Sequence, residues 1–411
     1  MEIGIKSIIG VDVKGKTVLF RPDINSPIDS NGKIVNRNRL EKTVPTLKYL
    51  SEGGAKIAII AHQGDTLDYQ NLISMAEHAE ILSELSGVRV DYIDDVAGDA
   101  AIAKVKALKE GEAVLLGNLR YLTEEVSTFE KDVKLTPKEM LKTYLVRRLK
   151  EVADIYVNDA FSAAHRNAPS MVAFEELMPS YAGPLFFREY EALWKVMNSA
   201  DKPVVFVLGG AKISDAFGMM GKVLKDGIAD KILAMGVTGV VMRLAEGVKV
   251  GAKYEKWLSD HDLTVFVAEA KELLKDYSDK FVSPVDFAFE EEGVRREVTS
   301  DKLPLDDKMF LDIGEKSIAL FENEISKAGT IFVNGPAGVY ENELFSKGTE
   351  RVWKAVAAAK GYSVIGGGDT VTAAAKFVDI SDIDYVCTAG GAMVRFLSGK
   401  KLPLIEAMTV R

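Results

Sequence analysis

Residues 361–376 read Gly-Tyr-Ser-Val-Ile-Gly-Gly-Gly-Asp-Thr-Val-Thr-Ala-Ala-Ala-Lys. Tyr362 to Ile365 predict the end of a buried strand. Gly366, Gly367 and Gly368 predict a turn without side chains, and Asp369 and Thr370 open an alanine-rich helix. Such a turn lets backbone N–H groups approach phosphates closely, and the helix start adds partial positive charge. A carboxylate belongs there when a hard cation bridges it to the phosphates, which makes Asp369 a candidate Mg²⁺ ligand. From this stretch alone, a glycine turn with Asp369 or Thr370 as helix N-cap is an equal alternative.

Leu208-Gly209-Gly210-Ala211-Lys212 repeats the arrangement at another predicted strand end and adds an ammonium within reach of a transferring phosphoryl group. Asn334-Gly335-Pro336-Ala337-Gly338-Val339-Tyr340-Glu341 is a rigid turn ending in a carboxylate suited to ribose hydroxyls. A tight turn with a solvated Glu341 fits those residues equally well. Neither glycine-rich strand end matches the dinucleotide fingerprint or the P-loop pattern.

The first half carries groups for an anion. Phe20-Arg21-Pro22-Asp23-Ile24-Asn25-Ser26-Pro27 is a loop stiffened by two prolines that presents Asp23 and Asn25. Arg39 begins the first predicted helix. His62, Arg120, and His165 with Arg166 each follow a predicted strand. Taken singly, each is more often a surface or capping residue. Several basic groups at one edge of one sheet point to a small, highly charged anion. Nucleotide on one half and a small anion on the other imply phosphoryl transfer, which relies on positioning and charge neutralisation. A carboxylate acceptor, already ionised at pH 7, needs no general base.

Alternating strands and helices must hold these groups. Strands are expected at 16–20, 55–61, 88–92, 113–117 and 155–158, then at 204–209, 231–234, 264–267, 280–283, 330–333, 363–365 and 385–388. Helices are expected at 40–51, 71–85, 100–108 and 138–152. This alternation implies parallel βαβ units, and ligands bind at the carboxyl ends of such strands. At 411 residues the chain exceeds what one core usually supports. The expected architecture is two doubly wound parallel-sheet (Rossmann-like) domains of α/β class. A long amphipathic helix over about 185–199 lies between start and stop signals and joins them.

A net charge of −9 argues against generic nucleic-acid binding and leaves room for a local basic site. Cys387 is the single cysteine, so no internal disulfide or cysteine-based metal cluster forms, and a reducing compartment fits. No signal peptide and no run of about 20 apolar residues is found. Scarce glutamine beside abundant Lys and Glu hints weakly at a heat-adapted source.

Seven motifs, in order, resemble phosphoglycerate kinase, with the archaeal branch most similar: 20–27, Val157-Asn158-Asp159-Ala160-Phe161 with Ala164-His165-Arg166, 208–215, Asp312-Ile313-Gly314, 334–341, 366–370 and 388–392. The resemblance covers essentially the whole chain. It implies a cytoplasmic, hinged two-domain enzyme, a monomer with a dimer as the alternative. Its reaction is reversible, Mg²⁺-dependent phosphoryl transfer between 1,3-bisphosphoglycerate with ADP and 3-phosphoglycerate with ATP, by domain closure. The domains implied are 1–182 for phosphoglycerate, 183–199 as the linking helix and 200–395 for nucleotide. The tail from about 396 to 411 returns to the first domain.

By the family pattern, Asp23, Asn25, Arg39, His62, Gln63, Arg120, His165 and Arg166 hold the phosphoglycerate. Arg39 and Lys212 neutralise the transferring phosphoryl group. Gly209, Gly210, Gly236, Pro336, Glu341, Gly366, Gly367, Gly368 and Thr370 hold the nucleotide, and Asp369 its metal.

Three departures stand out. His62-Gln63-Gly64-Asp65-Thr66 lacks the arginine usual after the second strand, Ala216 stands where a lysine is common, and Gly117 where a glutamate is common. The first two are expected to remove positive charge from the site. A kinase of the same fold with another carboxylate acceptor, and a silent nucleotide-binding or scaffold protein, are the competing readings. Nicotinamide oxidoreductase is disfavoured by the glycine pattern.

Overall fold

The computed structural model describes residues 3–64 and 72–409. They form two compact units, Met1–Glu191 with Lys401–Arg411, and Ala192–Lys400, and the division falls inside the helix Pro184–Asn198.

The first unit is built on six strands: β1 (Thr17–Arg21), β2 (Lys56–Ile59), β3 (Val90–Tyr92), β4 (Ala113–Leu115), β5 (Ile155–Asn158) and β6 (Ser180–Ala182). They order as β3-β4-β2-β1-β5-β6, all parallel. Strands covered on both faces are continuous apolar runs, as Val18-Leu19-Phe20 and Ile57-Ala58-Ile59 show. Val18, Phe20, Ile57 and Ile59 pack against Leu40, Leu47 and Leu50 of the helix Asn38–Glu52. Asp159, just past β5, is buried. It accepts from Thr46 Oγ1 and from the backbone N–H of Phe186 in the first turn of Pro184–Asn198. Burial pushes its carboxyl up to about 6, against those hydrogen bonds. The helix Pro403–Met408 lies against the helix Pro169–Val172, with Leu404 N–H donating to Ala164 O at 3.2 Å.

The second unit repeats the plan. Its strands are β7 (Val204–Leu208), β8 (Lys231–Ala234), β9 (Phe281–Val282), β10 (Asp286–Glu291), β11 (Val294–Thr299), β12 (Phe310–Ile313), β13 (Thr330–Asn334), β14 (Tyr362–Gly366) and β15 (Tyr385–Cys387). Six of them form a parallel sheet, β15-β14-β13-β7-β8-β9. The other three form an antiparallel sheet, β11-β10-β12, which the βαβ expectation did not contain.

Two further expectations fail. Residues 264–267 open the helix Val265–Tyr277 instead of forming a strand. The helix expected over 138–152 is two short ones, Pro137–Met140 and Tyr144–Leu149, parted where the Thr143 hydroxyl donates to Met140 O.

Candidate active site

Neighbouring strands β4, β2, β1 and β5 deliver their carboxyl ends to one edge of the first sheet. A cavity of about 200 Å³ there is lined by Arg21, Asp23, Arg39, His62, Arg120 and Arg166, with Ser162 and His165. Arg39 Nη1 donates to Asp23 Oδ2 at 2.6 Å, and the Ser162 hydroxyl donates to the same oxygen. Arg120 Nη1 donates to Glu125 O at 2.6 Å. Arg166 Nε donates to Glu130 Oε2 at 2.7 Å, while its buried Nη2 has no partner among the described residues. A buried guanidinium N–H without an acceptor is costly, and an anionic ligand in the cavity is the group that relieves it. His165 Nδ1 donates to Ser162 O at 3.1 Å.

His62 is held neutral. Burial drives its pKa well below the ordinary value, and Arg21, Arg120, Arg166 and Arg39 push the same way. Asn25 and Gln63 line an adjoining cavity that also reaches Arg39 and Arg120. The Asn25 side chain accepts from Gly64 N–H at 3.0 Å. Gln63 is turned inward: its amide exchanges hydrogen bonds with Ser26 N–H and O and meets His78 Nε2 at 2.9 Å. The structure therefore gives Gln63 the work of bracing the 24–26 loop. Asp65, in the segment that lacks the usual arginine, lies outside the described residues. Gly117 sits where a Cβ would come within 3.1 Å of the Asp95 backbone, a tight fit that a side chain meets only if that backbone gives by a few tenths of an ångström.

In the second unit, β14, β13, β7 and β8 converge on a cavity of about 600 Å³. One end is polar, with Lys212, Asp215, Gly367, Gly368, Asp369 and Thr370. The other is apolar, with Val240, Tyr254, Phe287, Phe310 and Val339. Four helix starts border the polar end: Ile213–Lys225, Gly236–Ala245, Gly368–Phe377 and Gly390–Leu397. None has a side-chain cap, so the sequence alternative of Asp369 or Thr370 as N-cap is not realised. Uncapped first turns leave N–H donors for an anion. Gly368 has open space where a Cβ would point.

The glycine loops are zipped together rather than free. Gly209 N–H donates to Asn334 O and Gly210 N–H to Pro336 O, each at 2.8 Å. A Cβ on Gly209 would lie 2.4 Å from Pro336 O, and one on Gly236 2.9 Å from Gly210 N. Gly366 stays in the sheet, where a Cβ would strike Met393 Sδ at 2.1 Å, and it does not line the cavity. The Thr370 hydroxyl accepts from Gly335 N–H at 2.8 Å. Glu341 is exposed on the cavity rim. Ala216 is buried in its helix and does not line the cavity.

Sequence reading assigned no role to several groups here. The apolar end depends on Phe287 and Phe310 of the antiparallel sheet, stacked at 4.8 Å. Asp312 is buried, pairs with Arg295 Nη1 at 2.7 Å and accepts from Gly348 N–H. Burial raises its carboxyl to about 6. A charged residue interrupting Phe310-Leu311-Asp312-Ile313 was the available signal. Among the described residues no group of three or more acidic, histidine or cysteine side chains is placed to hold a metal. A single carboxylate, Asp369, beside uncapped helix starts suits a cation that arrives on phosphates.

Comparison with known proteins agrees on one family. The family model for phosphoglycerate kinase matches residues 8–400. The phosphoglycerate kinase of Methanothermus fervidus is 39% identical over 398 residues, covering 97% of this chain and 95% of that protein. That of Pyrococcus furiosus is 40% identical over 398 residues, covering 96% and 95%. The crystal structure of phosphoglycerate kinase from Pyrococcus horikoshii superposes with a TM-score of 0.82 at 37% identity, covering 98% of each chain. The Coxiella burnetii enzyme gives 0.84 at 31% identity, covering 98% and 99%.

Proposed function

The chain belongs to the phosphoglycerate kinase family, and we propose that its two cavities divide that family's reaction between them. The activity is phosphoryl transfer between 1,3-bisphosphoglycerate with ADP and 3-phosphoglycerate with ATP. In the direction of ATP synthesis, a β-phosphate oxygen of ADP bonds to the phosphorus of the acyl phosphate. The bond from phosphorus to the carboxyl oxygen breaks, and the carboxylate leaves. No proton moves, because both oxygens are ionised at pH 7.

The reading of the first cavity rests above all on Arg166 Nη2, a buried guanidinium donor with no protein acceptor among the described residues. With Arg39 and Arg120 it surrounds a space sized for a small phosphorylated acid. His62, neutral, adds a donor without adding charge. Asp23, tied to Arg39, takes hydroxyl donors from the same ligand and orients the arginine.

In the second cavity the apolar end takes the base, Glu341 the ribose, and the uncapped helix starts the phosphates. Lys212 supplies positive charge to the transferring group from the nucleotide side, and Arg39 from the acceptor side. Asp369 holds the Mg²⁺ of the nucleotide, which when bound neutralises phosphate charge. In-line transfer needs acceptor and donor to meet away from water, and closure of the two units on their substrates is the motion this demands. We further assign the enzyme to the cytoplasm as a monomer, with a dimer as the alternative. No helix among the described residues is long and apolar enough to cross a membrane.

A coupled assay tests the reaction. With Mg-ATP, 3-phosphoglycerate and glyceraldehyde-3-phosphate dehydrogenase present, NADH oxidation that requires all components and this protein is expected. NADH oxidation without 3-phosphoglycerate, or none across temperatures with nucleotide binding intact, points to a different acceptor.

A further inference from the structure

Along the wall of the first cavity, a chain of buried polar groups runs from a carboxylate to an imidazole. Glu125 is 3% exposed. Its Oε1 accepts from Ser170 N–H at 2.7 Å and its Oε2 from the Ser170 hydroxyl at 2.6 Å. Ser170 Oγ, its proton given to Glu125, accepts from Arg21 Nε at 3.3 Å. Arg21 donates through Nη1 to Pro22 O at 2.7 Å and meets His62 Nδ1 through Nη2 at 2.9 Å.

The direction of each bond follows from the inventory of donors. A guanidinium has no acceptor, so Nδ1 of His62 must carry the lone pair and Nε2 the proton. With its proton committed to Glu125, the Ser170 hydroxyl is fixed as an acceptor toward Arg21. A protonated or amidated Glu125 would instead donate to Ser170 and release that hydroxyl proton, which could then turn toward the guanidinium, donor against donor. Ionised Glu125 keeps the chain in register. The charge is costly to bury, and Arg21 and Arg120 on either side offset that cost.

Neutral His62 lines the cavity. In one tautomer it offers an anion a lone pair and repels it; in the other it offers an N–H. We propose that Glu125 is a positioning residue: acting through Ser170 and Arg21, it holds His62 in the tautomer that donates to the anionic acceptor. The functional half of this inference rests on the assignment of phosphoglycerate to this cavity. The tautomer half does not.

The test uses the full chain and two variants, Glu125→Gln and Ser170→Ala. Nitrogen-15 NMR of the histidine side chains in ligand-free protein reads the tautomer, and steady-state kinetics reads KM for each substrate. The wild type is expected to show His62 protonated on Nε2 only. Both variants are expected to show mixed tautomers at His62. Their KM for 3-phosphoglycerate should rise roughly tenfold, as loss of an orienting partner does elsewhere, with KM for ATP unchanged. Ser170→Ala keeps the buried carboxylate and its backbone bond, so it carries the test if Glu125→Gln does not fold. Wild-type tautomer in a folded variant overturns the proposal. Mixed tautomers with an unchanged phosphoglycerate KM overturn its functional half and, separately, count against this cavity as the acceptor site. A Km rise for both substrates assigns Glu125 to general stability and also overturns it.

Discussion

Lys212 Nζ lies 3.0 Å from Asp369 Oδ2. The cation and the carboxylate at the polar end of the nucleotide cavity are thus paired with each other. Both side chains are mostly exposed, at 74% and 68%, and such pairs contribute little in water. A phosphate claiming the lysine and a metal claiming the carboxylate can therefore replace the pair at small cost.

Asp369→Ala should separate the two roles. It removes the proposed protein ligand of the metal and frees Lys212, so affinity for Mg-ADP should fall about tenfold, on the order of 1.4 kcal/mol. Affinity for metal-free ADP should hold or rise. Calorimetric titrations with and without a chelator check this, and equal losses under both conditions would remove Asp369 from metal binding.

Arg39→Ala should lower kcat far more than it raises KM for 3-phosphoglycerate. Its guanidinium is held by Asp23 at 2.6 Å, and in the reaction proposed above it meets charge that develops during transfer. Loss of one such donor costs roughly 10²–10³ in kcat elsewhere. A KM effect alone would reassign Arg39 to ground-state binding.

Gly335→Ala should damage fold and nucleotide affinity together. Gly335 has φ +92°, and a Cβ would sit 2.2 Å from Gly209 O, a backbone atom that cannot swing aside. A loss of about 2 kcal/mol or more in denaturant unfolding is expected, with a raised KM for ATP. Wild-type values for both would show the loop to be more compliant than its packing implies.

Asp159 sets a pH dependence. Its carboxyl is raised from 3.8 to about 6 in the folded chain, so the native state holds the proton more tightly than the unfolded one. Its stabilising contribution is fully present below about pH 4 and is lost as pH rises through about 6. The shift corresponds to on the order of 3 kcal/mol. Asp159→Asn keeps an oxygen for Phe186 N–H and does not titrate. Denaturant unfolding at several pH values should show wild type losing stability relative to this variant between about pH 4 and 6.5, and a constant difference would contradict the assignment.

Much of this was visible in the residues. Buried parallel strands announce themselves as short apolar runs, so 155–158 and 231–234 coincide with β5 and β8. The antiparallel sheet was hidden because β11, Val-Arg-Arg-Glu-Val-Thr, buries only Val298 and is otherwise polar. Its turn, Glu292 and Gly293 both at positive φ, was the available hairpin signal. Thr264-Val265-Phe266-Val267 looked like a strand because β-branched runs are ambiguous at four residues. The helical spacing of Ala270, Leu273, Leu274 and Tyr277 decides it. At the site, strand ends and glycines located both cavities. Roles inside them were less legible, because Gln63 and Thr370 turn their side chains to neighbouring backbone and Gly366 stays within its strand. Arg21 and Glu125 are buried in the cavity wall, where no local pattern assigns them a role.

Acceptor and nucleotide, as proposed above, are held by chemically separate sites. A crossed binding titration tests it most directly: 3-phosphoglycerate and Mg-ADP, each titrated into wild type, Arg166→Ala and Asp369→Ala. Arg166→Ala should lose 3-phosphoglycerate affinity and keep Mg-ADP, and Asp369→Ala should do the reverse. Loss of both ligands in either folded variant, or of neither in both, would contradict the division of labour proposed for the two cavities.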